Sequence, residues 1–143
     1  VDDIHKFSGV ALILDDSLTA RRLVSEALTK MGLRVVEAKD GVEGLEKLND
    51  LHSMYKDDLD QNLRVIISDV EMPQMDGFHF AANVKDDKRF SNIPIIFNSS
   101  LSNEFSELHG KDAGGDAFLT KFNATEFYKA VSRVIETRKK YIS

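Results

Sequence analysis

Acidic side chains that directly follow apolar runs are the residues of this chain whose types and spacing could support chemistry. Asp15 and Asp16 follow the run 10–14, and Asp69 follows the run 65–68. Three carboxylates held within a few ångströms repel one another, so they either keep protons or bind a cation. Hard oxygen ligands of this kind suit Mg²⁺, which takes one or two carboxylates together with phosphate oxygens. A carboxylate can also attack phosphorus and form an aspartyl-phosphate.

A hydroxyl and an ammonium group follow two further apolar runs. Ser99 comes shortly after the run 93–97, and Lys121 comes shortly after the run 117–119. Phosphoryl transfer requires an in-line nucleophile, a metal that spreads charge, and cationic or hydroxyl contacts to the transferred group. Taken singly, each of these residues has a plainer explanation as a helix cap, a loop residue or a solvated side chain. Because all of them follow apolar runs, together they favour a functional site.

Five short apolar runs alternate with amphipathic stretches along the chain. Runs without polar alternation are typical of strands buried on both faces, as in parallel sheets, and the stretches between them have helical spacing. The alternation predicts an α/β fold, a doubly wound five-stranded parallel sheet with helices on both faces. Ligands bind such sheets beyond the carboxyl ends of the strands, where the polar residues would meet. The predicted buried helix faces are Ala20, Leu23, Val24, Ala27, Leu28 and Met31; Val42, Leu45 and Leu48; Phe78, Ala81 and Ala82; Phe105 and Leu108; and Phe127, Val131, Val134 and Ile135.

Local signals mark the ends of several helices. Asp40 with Glu43, and Asn123 with Glu126, are pairs three residues apart that match the capping box. Such pairs predict that a helix begins at each of these places. The expected helix stops are Gly32 and Gly110, and the expected turn is Asp76-Gly77.

Two segments depart from the alternation of strands and helices. The polar and acidic segment 51–62 is expected to extend the second helix and then to loop into the third strand. The basic segment 138–140 is expected to be a frayed helix end or a linker.

Composition excludes several classes of function. Among 143 residues, 24 acidic side chains outweigh 19 basic ones, for a net charge of −5, which argues against binding to nucleic acid or to an anionic membrane surface. The absence of cysteine excludes disulfides, thiolate metal sites and cysteine nucleophiles, and it is compatible with a reducing cytosol. No apolar run approaches the roughly 18 residues that a membrane span requires.

The segment 69–77, DVEMPQMDG, resembles the D-x-x-M-P-x-M-D-G signature of the receiver domains of two-component response regulators. Ser99 lies 30 positions after Asp69, and Lys121 lies 22 positions after Ser99, and both spacings are similar to those of the family. The resemblance covers about residues 8–137. It implies a flavodoxin-like, CheY-like sheet of strand order 2-1-3-4-5, and a single receiver domain over residues 1–143.

The resemblance also implies a role for each acidic residue. Asp69 would be the phospho-acceptor. Asp16 would bind Mg²⁺ directly, and Asp15 would bind it directly or through water. The backbone carbonyl of Glu71 would complete the protein ligands of the metal, and the Glu71 side chain adds a fourth carboxylate near the pocket.

The remaining family positions concern the response to phosphorylation. Lys121 would contact the phosphoryl oxygens, and Ser99, where threonine is commoner, would hydrogen-bond them. Phe118 occupies the place of the aromatic switch residue, and Phe122 stands where the family usually has proline. The resemblance implies that phosphorylation draws Ser99 and Lys121 inward and lets Phe118 rotate. These movements would alter partner binding on the surface formed by the fourth helix, the fifth strand and the fifth helix.

Two segments, 96–102 (IFNSSLS) and 116–122 (DAFLTKF), resemble the receiver domain of CheV-type chemotaxis coupling proteins. In that group a CheW-like domain precedes the receiver and docks to the chemoreceptor–kinase array, and a CheA-type histidine kinase donates the phosphoryl group. The chain begins with Val1 rather than Met, and we expect that such a domain has been removed. The resemblance implies a cytoplasmic signalling domain rather than an enzyme.

Two other classes of function remain open at this point. A Mg²⁺-dependent phosphohydrolase would also use an aspartyl-phosphate, although such enzymes usually carry a D-x-D spacing on the first strand, whereas Asp15 and Asp16 are adjacent. A degenerate receiver would bind partners without being phosphorylated. The intact set of carboxylates, hydroxyl and lysine weighs against that alternative.

Overall fold

Strands and helices alternate along the chain in the computed structural model, which describes residues 7–99, 112, 114–119 and 123–142. The fourth predicted helix, around Phe105 and Leu108, lies outside the described residues, as does Gly110. The strands are β1 (Val10–Leu14), β2 (Arg34–Ala38), β3 (Leu63–Ser68), β4 (Ile95–Asn98) and β5 (Ala117–Leu119), and the helices are α1 (Leu18–Lys30), α2 (Gly41–Tyr55), α3 (Leu59–Asn62), α4 (Gly77–Asp86) and α5 (Ala124–Ile142).

The five strands form one sheet in the order β2-β1-β3-β4-β5. Every neighbouring pair is parallel, with Leu12 opposite both Val36 and Ile66 at the centre. The predicted 2-1-3-4-5 sheet is therefore confirmed. All five strands end at one edge, called here the carboxyl edge, and begin at the opposite one, the amino edge.

Alternate side chains of the strands supply two separate cores, because successive residues of a strand point to opposite faces of the sheet. Leu12 and Leu14 pack with α2 and α4 on one face, whereas Ala11 and Ile13 pack with α1 and α5 on the other. The predicted helix faces are correct in their centres but too wide. The residues predicted to be buried that the structure exposes are Leu23 at 47%, Val42 at 43%, and Ala82.

Side-chain caps fix the helix starts. The Glu43 amide donates to Asp40 Oδ1 at 2.9 Å, and the Glu126 amide donates to Asn123 Oδ1 at 3.1 Å, so both predicted capping pairs are confirmed. Asp76 does more than form a turn, because its Oδ1 accepts from the His79 amide at 2.7 Å and caps α4.

The segment 51–62 is more ordered than the predicted loop. It extends α2 to Tyr55, continues as a 3-10 turn over Lys56–Asp58, and ends in the short helix α3. The basic segment also differs from the prediction, since α5 runs through to Ile142 and Arg138 is 8% exposed. Arg138 Nη1 donates to the Leu63 carbonyl at 3.0 Å, and Nη2 lies 3.1 Å from Asp60 Oδ1, so Arg138 belongs to the packed fold rather than to a tail.

No helix of the described residues combines the length and the apolar character that crossing a membrane requires.

Candidate functional site

The carboxyl edge of the sheet gathers the three acidic residues singled out in the sequence. Asp15 and Asp16 follow β1, and Asp69 follows β3, which is the neighbour of β1 in the sheet. A carboxylate oxygen can be chosen from each so that all three atoms lie within 4.8 Å of one another. The structure thus brings together three carboxylates that are 54 positions apart at their widest separation in the sequence.

The backbone of the sheet holds these residues in place. The Asp69 amide donates to the Leu14 carbonyl at 2.8 Å, and the Asp15 amide donates to the Ala38 carbonyl at 3.1 Å. Each bond continues the strand pairing one residue past the strand end. The two aspartates are consequently positioned by the rigid part of the fold.

Asp15 and Asp16 differ in their surroundings. The Asp15 side chain is buried, and its Oδ1 accepts from the Ser17 amide at 2.8 Å. Asp16 is exposed. Ser17 caps α1 by accepting from the Ala20 amide at 3.2 Å. Helix capping therefore explains Ser17, whereas Asp15, Asp16 and Asp69 each place one carboxylate oxygen in the cluster.

Burial and like charge make the Asp69 carboxyl unusually easy to protonate. The pKa of Asp69 is raised from 3.8 to about 6, with burial as the largest cause and the negative charge of Asp15 as the next. Asp16 and Glu71 act in the same direction. The hydrogen bond that Oδ1 accepts from the Val70 amide at 2.8 Å opposes this shift. Burial also raises the pKa of Asp15. A bound cation would relieve both effects.

Arg21 is a neighbour of this cluster that the sequence analysis did not identify. Its Nη1 donates to the Asp15 carbonyl at 2.6 Å, and its Nε pairs with Glu37 at 3.1 Å. Its charge acts to lower the pKa of Asp15. The signal in the sequence is weak, because a basic residue in the second turn of an amphipathic helix is usually a solvated side chain.

The loop after Asp69 returns closely beneath it. The Gly77 amide donates to the Val70 carbonyl at 2.8 Å, and a Cβ at Gly77 would overlap the Asp69 carbonyl oxygen. Glycine is therefore required at the start of α4 by a close backbone approach. The loop docks on α2 through the Gly41 amide, which donates to the Met75 carbonyl at 3.1 Å.

Ser99 and Phe118 lie on the neighbouring strands of the same sheet. Ser99 follows β4, is buried, and donates its amide to the Leu119 carbonyl at 2.9 Å. Phe118 in β5 is half-buried, with its ring centroid 6.1 Å from that of Phe97. Lys121 lies outside the described residues.

An open depression of about 460 Å³ adjoins the acidic cluster. Asp16, Asp69 and Glu71 line it together with Met72 and Pro73. The atoms available to bind a metal there are carboxylate oxygens, which fit a hard divalent cation such as Mg²⁺. The open volume leaves room for water and for phosphate oxygens beside the metal.

Comparison with known proteins defines the class to which this fold and this site belong. Residues 11–132 match the family model of the response regulator receiver domain. The chain belongs to the response regulator receiver domain family.

The relatives come from chemotaxis and related signalling systems. The chain is 46% identical over 136 residues to chemotaxis protein CheV3 of Helicobacter pylori, covering 94% of this chain and 44% of CheV3. It is 33% identical to protein PilG of Pseudomonas aeruginosa over 84% of this chain and 82% of PilG. The chain thus spans less than half the length of the CheV relative that it matches.

A solved structure with the same fold is that of chemotaxis protein CheY4 of Vibrio cholerae. The TM-score is 0.75 at 32% identity, over 90% of this chain and 99% of CheY4. The predicted resemblance to receiver domains and to the CheV group is confirmed.

Proposed function

We propose that this chain is a phospho-accepting receiver domain, in which Asp69 takes up a phosphoryl group in the presence of Mg²⁺. The observation that carries the proposal is the cluster of Asp15, Asp16 and Asp69, two of which, Asp16 and Asp69, line an open depression. A buried or half-buried carboxylate next to two others is costly unless a cation or a transferred group makes use of it.

The chemistry assigned to Asp69 is nucleophilic attack. One carboxylate oxygen forms a bond to phosphorus, and the bond between phosphorus and the leaving oxygen of the donor breaks, which gives an aspartyl-phosphate. Because the pKa of Asp69 is about 6, most of the carboxyl is ionised and nucleophilic at pH 7 even before a metal binds. When bound, Mg²⁺ would neutralise charge on the carboxylates and on the equatorial oxygens of the phosphoryl group.

Asp15 and Asp16 would hold the metal, with the Glu71 carbonyl as a third protein ligand. Ser99 and Lys121 would bind the new phosphoryl oxygens, and Phe118 would respond by changing its rotamer. Support for the switch is the position of Ser99 directly after β4, the neighbour of β3, and of Phe118 on β5, the neighbour of β4. The surface around β5 and α5 would then present a different shape to partners.

The experiment is incubation of the chain with Mg²⁺ and acetyl phosphate, followed by intact-mass measurement. We expect a species heavier by about 80 Da, the mass of a phosphoryl group, and its loss in Asp69→Asn. A matched control is Asp50→Asn, an exposed aspartate on α2, which should label like the native chain. Absence of the heavier species in the native chain, or its persistence in Asp69→Asn, would contradict the proposal.

A second experiment, incubation of the chain with Mg²⁺ and a small phosphate ester, separates the receiver from the phosphohydrolase alternative. A receiver accumulates one phosphoryl group per chain and releases acetate in proportion, whereas a hydrolase would turn over a small phosphate ester many times. Sustained release of phosphate from such an ester would favour the hydrolase.

We further infer that a CheA-type histidine kinase is the phosphodonor, and that the domain works in the cytoplasm as part of a CheV-type coupling protein. The support is the 46% identity to CheV3 and the 32% identity to the protein named sensor histidine kinase CheAY of Helicobacter pylori, which covers 85% of this chain. Docking to a chemoreceptor–kinase array would require a CheW-like domain outside this chain. Transfer from a radiolabelled kinase domain to the native chain but not to Asp69→Asn is the corresponding test.

A further inference from the structure

Arg21 and Arg22 are adjacent on α1, but they lie in different surroundings. Arg22 is exposed, whereas the Arg21 side chain is only 18% exposed and reaches back to the end of β1. A cation beside an acidic cluster could simply pair with the carboxylates. Within the described part of the chain, however, Arg21 forms no ion pair with Asp15, Asp16 or Asp69. It donates to the main chain between two of them instead.

The guanidinium of Arg21 is held through two of its nitrogens. Nη1 donates to the Asp15 carbonyl at 2.6 Å, and Nε donates to Glu37 Oε1 at 3.1 Å. Glu37 lies on β2 opposite Ile13 of β1, so the sheet fixes this end of the contact. The backbone of Arg21 is fixed as well, because its amide donates to the Ser17 carbonyl at 3.0 Å. Arg21 therefore forms a rigid bridge from β2 to the turn that follows β1.

The carbonyl that Arg21 binds belongs to the peptide unit that joins Asp15 to Asp16. Because this unit is planar, a donor that fixes the carbonyl also fixes the Asp16 amide and the direction in which Asp16 leaves the main chain. Asp15 has further supports, since its amide donates to Ala38 and its Oδ1 accepts from Ser17. Asp16 is exposed, and its side chain has no hydrogen-bond or ion-pair partner among the described residues. The main chain must therefore orient Asp16.

The charge of Arg21, taken alone, disfavours a bound metal. Burial raises the pKa of Asp15, and the positive charge of Arg21 opposes that rise, so the charge acts on the cluster. The same charge repels a divalent cation placed there. The charge of Arg21 and its hydrogen bonds therefore predict opposite effects on the affinity for Mg²⁺, and an experiment can separate them by the sign of the change.

We propose that Arg21 is a positioning residue for the metal. It holds the peptide unit between Asp15 and Asp16 so that the Asp16 carboxylate lies in the cluster, and Glu37 anchors it. The inference rests on the proposed function, because it concerns the Mg²⁺ site of that function. Groups that orient metal ligands without touching the metal typically change the affinity by about 10–100-fold. The lower end of that range is expected for Arg21, because its charge offsets part of the gain.

The test is a titration of the ¹⁵N-labelled chain with Mg²⁺, followed through the amide shifts of Asp16 and Val70. We expect the affinity to fall about tenfold in Arg21→Met, because the loss of orientation outweighs the relief of repulsion. Arg22→Met removes the same charge from an exposed position of α1 and should bind like the native chain. Equal or tighter binding by Arg21→Met would overturn the proposal.

Two further variants separate orientation from charge and from general stability. Arg21→Lys keeps the charge but cannot reach both acceptors with one ammonium group. It should bind Mg²⁺ more weakly than the native chain, and equal binding would overturn the proposal even if Arg21→Met failed to fold. Arg138→Met removes the donor to the Leu63 carbonyl at the amino edge and should leave the affinity unchanged. In EDTA, ¹⁵N relaxation should show greater motion of Asp16 in Arg21→Met but not in Arg138→Met.

The role of Glu37 is tested by combining variants. Glu37→Ala should weaken Mg²⁺ binding in the native chain and should have no further effect in Arg21→Met, because nothing is left for Glu37 to anchor. If Glu37 acted through its charge alone, the effect would be equal in both backgrounds, and that result would overturn its assignment as the anchor.

The outcomes also separate this inference from the proposed function. A native chain that binds no Mg²⁺ and gains no phosphoryl group would contradict the proposed function, and the inference would fall with it. A native chain that binds Mg²⁺ and is phosphorylated, while Arg21→Met binds the metal as tightly, would overturn only the role of Arg21.

Discussion

Charged side chains are arranged differently at the two edges of the sheet. At the carboxyl edge Asp15, Asp16 and Asp69 crowd together, and within the described part of the chain none of them forms an ion pair. At the amino edge three cations donate hydrogen bonds to backbone carbonyls. Arg64 Nη1 donates to Ser8 at 2.8 Å, Lys85 Nζ to Ile93 at 2.9 Å, and Arg138 Nη1 to Leu63 at 3.0 Å.

The difference separates charges that hold the fold together from charges that are kept for a ligand. A buried charge with several hydrogen bonds contributes to one defined structure, whereas like charges gathered without partners destabilise the native state. A fold tolerates the second arrangement where something else binds. Arg138 belongs to the first group, because its Nη1 donates to the Leu63 carbonyl and its Nη2 lies 3.1 Å from Asp60 Oδ1.

The largest expected effect tests how tightly the carboxyl edge is built. Gly77→Ala places a Cβ against the Asp69 carbonyl oxygen, which neither backbone can avoid without moving. We expect the free energy of unfolding to fall by about 2–4 kcal/mol, because the clash is with main chain rather than with a flexible side chain. Urea denaturation measures this change. Ala82→Ser, at an exposed position of the same helix, should cost less than about 1 kcal/mol.

An intermediate effect is expected at the amino edge. Arg138→Met removes the donor to the Leu63 carbonyl and leaves Asp60 unpaired, so unfolding should become easier by about 1–2 kcal/mol at pH 7. Arg22→Met, exposed on α1, should change stability by less than about 0.5 kcal/mol. Equal stability of the two variants in thermal or urea unfolding would show that the amino edge is not held together by its cations.

The smallest effect has the opposite sign and concerns the acidic cluster. The folded-state pKa of Asp69 is about 6, above the value of 3.8 that it has when unfolded. The native state therefore holds this proton more tightly, and stability is lost as the pH rises from about 4 to about 6. Full burial would make the cost about 3 kcal/mol, and partial solvent exposure reduces it to about 1 kcal/mol.

Asp69→Asn removes that cost. In EDTA the variant should be more stable than the native chain by about 1 kcal/mol at pH 8 and nearly equal to it at pH 4. Asp50→Asn should show no such dependence on pH. A loss of stability in Asp69→Asn at pH 8 would mean that the carboxylates are not in conflict, and the contrast between the two edges would fail.

Much of this arrangement could be predicted because local patterns carry it. Continuous apolar runs identified the strands, and the residues just after them had to meet at one edge of a parallel sheet, which placed Asp15 beside Asp69. The helix faces were drawn too wide at Leu23 and Val42, since periodicity alone does not say where the stripe of buried residues ends. Lys121 was proposed as part of the site, but it lies outside the described residues.

Arg138 could not be identified in the same way. Next to Lys139 and Lys140 it has the sequence of a solvated helix end, and its partners are a backbone carbonyl and an aspartate far along the chain. Every residue has a backbone carbonyl, so the residue type does not reveal which carbonyl accepts a hydrogen bond from an arginine. Arg21 escaped notice for the same reason, since its partner is the carbonyl of Asp15.

The bond between Arg138 and Leu63 also has a consequence for how the chain folds during synthesis. The two residues are 75 positions apart, and a ribosome that adds about 5–20 residues per second needs roughly 4–15 s to cover that distance. Throughout this interval the first carbonyl of β3 has emerged without the side chain that will cover it. The sheet can therefore begin to assemble long before α5 closes over its amino edge, and until then water is the partner of the Leu63 carbonyl.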